Sequence, residues 1–316
     1  MSLAKELHER AFQSTIPVAF YVNQPHSLPY LINVPRVSYL GYYFDNLRLQ
    51  FSEYFPIAKP DAEIILIDAE TKSYLQWDIP FSVVFDIITS KLSEGKDEIV
   101  KPTIPFQIEV KLDNDFSHPY ILPGGSRSSL KEIYFHSLKQ SLFIFKKSSK
   151  EFNTAPPACI DALFRSLCHG SYDEYDKGIR SIVSFSEELF VGTYDGMFSA
   201  DIDADDIEDL SDEEVEAKPS LNLKGFFSPT IGFSYPLKFH IFSDDSAHME
   251  YYSVVARVPV LSKDTLSMVL CRLWPGGSKY EGFWIQGMKI EKTTCAADLC
   301  GILSSGDLFM HVLVRK

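Results

Sequence analysis

The sequence predicts an α+β protein: two small modules of strands and one helix, standing on either side of a helix-rich stretch. Three observations carry that expectation. Segments with strand alternation bracket a single segment of helical period near each end of the chain, in the same order in both halves. The middle of the chain shows apolar residues at helical spacing instead. Finally, "DIDADDIEDLSDEEVE" (201–216) holds ten acidic residues and no basic ones, and it separates the last module from all that precedes it. Such a run repels itself and reads as a disordered linker.

In chain order, "MSLAKELHERAF" reads as a short charged helix and "IPVAFYVN" (16–23) as a strand. "YLINVPRVSYLGYYF" (30–44) mixes a strand pattern with a break at Pro35, and "LRLQFSEYF" (47–55) has helical spacing. "AEIILID" (62–68) and "YLQWDI" (74–79) flank "AETKS" as a hairpin would. "PFSVVFDIITSKL" (80–92) places Pro80 at a first helical position and Val83, Val84, Ile87 and Ile88 on one face. "FQIEVKL" (106–112) alternates as a half-buried strand. The β-grasp fold of ubiquitin is one layout that fits, although the pattern alone does not select it.

In the middle, Ser129 with Glu132 three residues on has the spacing of a capping box. Leu130, Tyr134, Leu138, Leu142 and Phe145 then fall on one side of a helix. Lys139 lies at the border of that stripe, with Lys131, Lys146, Lys147 and Lys150 towards the helix ends. Residues 156–185 offer further helices, with Pro156 and Pro157 ending the one before. In the last module "YPLKFHIF" (235–242), "YYSVVARVPV" (251–260), "YEGFWIQGM" (280–288) and "LFMHVLV" (308–314) read as strands. "DTLSMVLCRLW" (264–274) reads as a helix with Leu266, Val269, Leu270 and Leu273 inward. The expected divisions are 1–120 for the first helix and module, 121–200 for the helix-rich region, 201–223 for the acidic linker and 224–316 for the second module.

Composition narrows the function. The chain has 316 residues and is 45% hydrophobic, enough for two or three cores. Its five cysteines form no CxxC pair, which argues against a disulfide framework or zinc site. The net charge is −13, and without the acidic run it is −3. No basic face is paired with stacking aromatics, so nucleic acid is not an expected partner. No leader or membrane-spanning segment is evident, so the expectation is a cytoplasmic protein. Neither a nucleophile elbow, a phosphate loop nor a zinc helix occurs, and the histidines lack metal-ligand spacing. Cys168 and His169 are neighbours on a stretch that reads as helical, and their side chains would diverge by about 100°. Ser211, ahead of Asp212, Glu213 and Glu214, has the spacing of a site for an acid-directed kinase. The chain ends "HVLVRK", without the C-terminal glycine by which ubiquitin-like modifiers are activated; a role in receiving or recognising modifiers is expected instead.

Four stretches resemble a known family. "LPYLINVPRVSYL" (28–40) is similar to the "PYYLLLPRVSYL" segment of the autophagy protein 5 family, and "LQWDIPFSVVFDII" (75–88) to its "P-L-x-W-x-x-P-x-G-x-L-F-D" signature. "YFHSLKQSLFIFKKSSK" (134–150) resembles its "FWFHQWKQxxFI…SSK" helix, and "GMKIEKTTCAADLCGILSSGDLFMHVLV" (287–314) its C-terminal segment. The signature glycine is absent after Pro80, Asp78 stands where relatives tend to have His or Asn, and Cys295 to Cys300 replace a "PLxWL" element.

The resemblance implies two ubiquitin-like β-grasp modules flanking a helix-rich region. It implies that Lys139 accepts the C-terminal glycine of the ubiquitin-like autophagy protein 12 in an isopeptide bond. The conjugate would bind the amphipathic helix of autophagy protein 16 and, with the conjugating enzyme for autophagy protein 8, act like a ligase in lipidating that protein with phosphatidylethanolamine. It would have no catalytic residues, cofactor or metal of its own. Its place would be the cytoplasm, at the edge of the preautophagosomal membrane and in indirect contact with it. Arg36, Trp77, Asp78 and His136 would form a partner-binding patch beside Lys139; replacing Arg36 or Trp77 with Ala is then expected to lower lipidation more than folding. The alternatives are a scaffold that binds the same partners without a covalent bond, and an enzyme using Cys168.

Overall fold

The computed structural model describes residues 3–22, 28–54, 63–92, 103–113, 121–122, 126–146, 148–182, 235–243, 250–256, 260, 263–274, 280 and 282–315. The acidic run, Ser211 and the divisions drawn around them lie outside the described residues.

The first module comprises α1 (Leu3–Gln13), β1 (Thr15–Tyr21), β2 (Tyr30–Pro35), a 3-10 turn (Leu40–Tyr43) running into α2 (Phe44–Gln50), β3 (Glu63–Asp68), α3 (Phe81–Leu92) and β4 (Phe106–Asp113). Its sheet has the order β2-β1-β4-β3, with β1 parallel to β4 and the outer pairs antiparallel. Val83, Val84, Ile87 and Ile88 are all buried, as are Phe81 and Phe85. The helix is covered on more than its sheet-facing side because the second module packs on it too.

Two expectations are corrected. The hairpin over 62–79 keeps only its first strand; the second leg is reduced to one bridge, Ile67 to Tyr74. Past Leu75 the chain turns inward to bury Trp77 and Ile79, and a continuing strand would hold the indole at the sheet edge. The helix over 47–55 stops at Gln50, where Phe51 drops into the core.

The helix-rich region is α4 (Arg127–Lys146), α5 (Lys150–Thr154), α6 (Pro157–His169) and α7 (Tyr172–Ile182). Leu130, Tyr134, Leu138 and Leu142 are buried as expected, whereas Phe145 is only half-buried. The cap of α4 is Ser126, not Ser129. Its hydroxyl accepts from the Ser129 N–H at 3.0 Å and meets the Ser129 hydroxyl at 2.8 Å, so a serine fills the reciprocal place that Glu132 was expected to take. Pro157 sits in the first turn of α6, where its missing N–H has no intrahelical partner to lose. Gly170 closes α6 at φ +68, a left-handed position that favours glycine.

The second module comprises β5 (Leu237–Ser243), β6 (Glu250–Val255), α8 (Leu266–Leu273), β7 (Gly282–Ile285), β8 (Met288–Ile290), α9 (Ala296–Leu303) and β9 (Met310–Arg315). Its sheet has the order β6-β5-β9-β7-β8, with β5 parallel to β9. In both modules the first and last strands lie side by side and parallel, with the second strand outside the first. That is the β-grasp arrangement. The expected single strand over 280–288 is a tight hairpin, turning at Gln286 and Gly287 with φ of 50 and 82, as a type I′ turn requires. The short helix α9 was not anticipated; its glycine and cysteine give no clear helical stripe.

The three parts join around α4. The first module and the helices share one core, which also takes in Phe242 and Leu313 of the second module. The Gly306 carbonyl accepts hydrogen bonds from the hydroxyls of Tyr134 (3.0 Å) and Tyr175 (2.9 Å). A Cβ at Gly306 would lie 1.9 Å from Leu167 Cδ1, so only glycine lets the loop before β9 come so close to α6.

Candidate functional site

One side of α4 is bolted to the second module. The Ser137 hydroxyl donates to Asp307 Oδ2 (2.6 Å) and the Ser141 hydroxyl to the Asp307 carbonyl (2.7 Å). A carboxylate can only accept, so His311 Nε2 donates to Asp307, at 3.0 Å from Oδ1. His311 Nδ1 in turn lies 2.7 Å from His240 Nε2. Burial holds His240 well below its ordinary pKa of 6.5. Burial by itself would raise the Asp307 carboxyl, but the His311 imidazole, Lys238 and the Ser137 hydroxyl outweigh it and hold the group low.

The opposite side of α4 carries His136, Lys139 and Phe143. His136 and Phe143 are exposed and Lys139 is half-buried. Lys139 Nζ stands 5.1 Å from the centre of the Phe152 ring, on α5. The sequence placed its stem against Phe135 and Leu142; the ring it meets lies beyond the helix break. Among the described residues no carboxylate pairs with Lys139. Lys131, in contrast, is ion-paired with Asp161 and lies 5.6 Å from the Phe135 ring centre. Lys150 opens α5 and is exposed. Lys147 and the side chain of Lys146 lie outside the described residues.

The four patch residues sit in different surroundings. His136 is one turn from Lys139 on the same outward side. Arg36 lies at the junction of the two β-grasp modules, half-buried, with Nη2 2.9 Å from Asp86 Oδ1 and its guanidinium over the Phe85 ring. Asp86 Oδ2 accepts the Gly287 N–H at 2.6 Å, so Arg36, Asp86 and the β7–β8 turn form a clasp between modules. Trp77 is 3% exposed. Its indole N–H donates to the Leu122 carbonyl (2.8 Å), and a Cβ on Gly41 would lie 2.6 Å from its Cε3. Asp78 is half-buried and its carboxyl is raised by burial, against a backbone hydrogen bond and Lys238. Among the described residues no contact joins Arg36 or Trp77 to Lys139 or His136.

The clasp titrates. Burial pushes the Asp86 carboxyl up to about 6, against the pull of Arg36 and the Gly287 N–H. A folded pKa above the unfolded value means that stability rises as pH falls from about 6 towards 4, and this contribution is lost as pH rises through 6. Asp86→Asn should flatten that slope by about 2–3 kcal/mol, read from urea unfolding at pH 4.5 and 7. A wild-type-to-variant difference that is constant across the window would show that Asp86 does not titrate there.

Cys168 and His169 do not make a dyad. The Cys168 thiol is 1% exposed and burial pushes it up to about 12, whereas His169 is exposed with Nε2 3.0 Å from the Tyr42 hydroxyl. Among the described residues no three His, Cys, Asp or Glu side chains could hold a metal ion, and no helix is long and apolar enough to cross a membrane.

Sequence reading missed the Asp307 relay, the Asp86 clasp and Phe152. Asp86 and Asp307 fall within stretches that carried the family resemblance, but the partners that tie them to other elements, Arg36, Gly287 and Ser137, are 50 to 201 residues away in sequence. Nothing local signalled Phe152, which faces Lys139 only because the chain turns back after Lys146.

The first module matches the family model described as "Autophagy protein ATG5, UblA domain" over residues 11–112, and the helices match "Autophagy protein ATG5, alpha-helical bundle region" over 127–184. The chain belongs to the autophagy protein 5 family. It is 22% identical over 203 residues to autophagy protein 5 of Arabidopsis thaliana, covering 62% of this chain and 54% of that one. To the protein of Debaryomyces hansenii it is 27% identical over 173 residues, covering 52% of this chain and 58% of that one. The chain thus spans about half the length of the curated relatives it matches. Its backbone follows the crystal structure of Kluyveromyces marxianus Atg5 with a TM-score of 0.63 at 17% identity, over 98% of this chain and 99% of that one. The fold of this family therefore extends through the second module, which neither family model covers.

Proposed function

We propose that this protein is a conjugation acceptor and scaffold for autophagosome formation. Lys139 receives the C-terminal glycine of the ubiquitin-like autophagy protein 12. The conjugate binds the amphipathic helix of autophagy protein 16 and, with the conjugating enzyme for autophagy protein 8, promotes transfer of that protein to phosphatidylethanolamine. It works from the cytoplasm at the preautophagosomal membrane and touches the membrane through its partners. His136 is the patch residue with an exposed side chain to offer a partner; Arg36 and Trp77 act through the shape they maintain.

The placement of Lys139 carries this reading. An acceptor amine must be reachable, on a firm support and able to lose its proton. The helix beneath Lys139 is fixed by Tyr134, Ser137 and Ser141 to the second module. No described carboxylate is ion-paired with Lys139. The neutral amine attacks the thioester carbonyl, a C–N bond forms, the C–S bond breaks, and the enzyme's thiolate leaves as nitrogen gives up its proton.

Co-expression with autophagy protein 12 and its activating and conjugating enzymes tests this. A slower-migrating conjugate on a denaturing gel is expected for wild type and its loss, at least a hundredfold, for Lys139→Arg. A conjugate persisting in the variant would move the site to another lysine. Partner-helix binding without conjugate in either protein would leave a non-covalent scaffold.

A further inference from the structure

We propose that Phe152 is a positioning residue for Lys139, its ring stationing the amine at one place on the outward side of α4. The inference rests on Lys139 being the acceptor.

Lysine carries four rotatable bonds and much rotamer freedom, so an acceptor on a bare helix would present its amine over a wide arc. Here the arc is limited. After α4 ends at Lys146, α5 brings Phe152 back beneath Lys139, with Nζ 5.1 Å from the ring centre. The ring is itself firmly seated: it is 3% exposed and lies edge-on to Phe135 at 5.8 Å. Phe135 packs on Tyr134 at 5.6 Å, and the Tyr134 hydroxyl is held by the Gly306 carbonyl. The platform under the amine is therefore continuous with the joint between modules. The face of an aromatic ring attracts an ammonium, and its apolar surface takes the methylene stem in either protonation state. Lys131 over Phe135 shows the same pairing with a carboxylate added, from Asp161, which ties that ammonium down.

The full chain with Phe152→Leu keeps apolar bulk and removes the ring; Phe152→Tyr restores it. The Lys139 ε-methylene protons, assigned by their absence in Lys139→Arg, should show an upfield ring-current shift that disappears in the leucine variant and returns with tyrosine. Single-turnover discharge of the thioester-charged conjugating enzyme should slow about three- to tenfold for Phe152→Leu at saturating thioester, with unchanged half-saturation. Tyrosine should restore the rate. An unshifted ε-methylene in wild type, or a leucine variant with wild-type rate, would overturn the positioning role. A leucine variant with a lowered melting temperature and a slowed rate that tyrosine does not rescue would reduce Phe152 to a core residue. A conjugate surviving Lys139→Arg would remove the acceptor reading and this role with it, while the ring-current shift would still register the contact.

Discussion

Replacing Asp307 with alanine should destabilise the protein by about 3–5 kcal/mol, the range for removing one member of a buried hydrogen-bonded pair. The carboxylate accepts from His311 Nε2, the Ser137 hydroxyl and the Phe309 N–H, so its loss leaves two buried donors and one part-buried donor without an acceptor. Ser137→Ala removes one donor and should cost only about 1 kcal/mol, and less still in the Asp307→Ala background. The relay also has a pH signature opposite to that of the clasp. Asp307 is held below its ordinary carboxylate value, so the stability it contributes is present above about pH 4 and is lost as pH falls through its folded pKa. Wild type should lose that increment on acidification and Asp307→Ala should not. Urea unfolding at pH 3 and pH 7 measures both. Equal losses in the two proteins would mean that the carboxylate does not carry the acid response.

Trp77→Ala should destabilise by about 3–5 kcal/mol, the usual range for truncating a buried aromatic. The indole fills the space over Gly41 that no side chain there could share, packs 5.9 Å from Phe44, and pins the Leu122 carbonyl just ahead of α4. Its loss opens a cavity and leaves that carbonyl unpaired, so lower lipidation in such a variant would follow from less folded protein. The resemblance implied a partner-binding role for Trp77, with lipidation lowered more than folding; burial of the indole predicts a folding loss as well. The midpoint of urea unfolding is the measurement; a loss under about 1 kcal/mol would mean that the loop over 74–80 closes on the space by itself.

The residue patterns foretold the helices and strands with strong period. Val83, Val84, Ile87 and Ile88 define α3, and Leu130, Tyr134, Leu138 and Leu142 define α4, because burial of one face writes the helical repeat into the chain. The pattern failed where tertiary packing overruled local alternation. Residues 74–79 alternate like a strand, yet Trp77 is worth more in the core than at an edge. The start of α4 was set by a serine three residues earlier than the expected one. The short α9, with glycine and cysteine in place of a stripe, gave no period to read.

By itself the sequence determined most of the elements and their order, the two-module plan about a helical centre and, through its resemblance, the family. The tertiary structure decided what those residues do to one another. Asp86 meets Gly287 across 201 residues of chain, and Ser137 meets Asp307 across 170. Periodicity reports only which face of an element is buried. It holds no record of which distant donor a buried carboxylate will find, nor of which ring the returning chain will lay beneath a lysine.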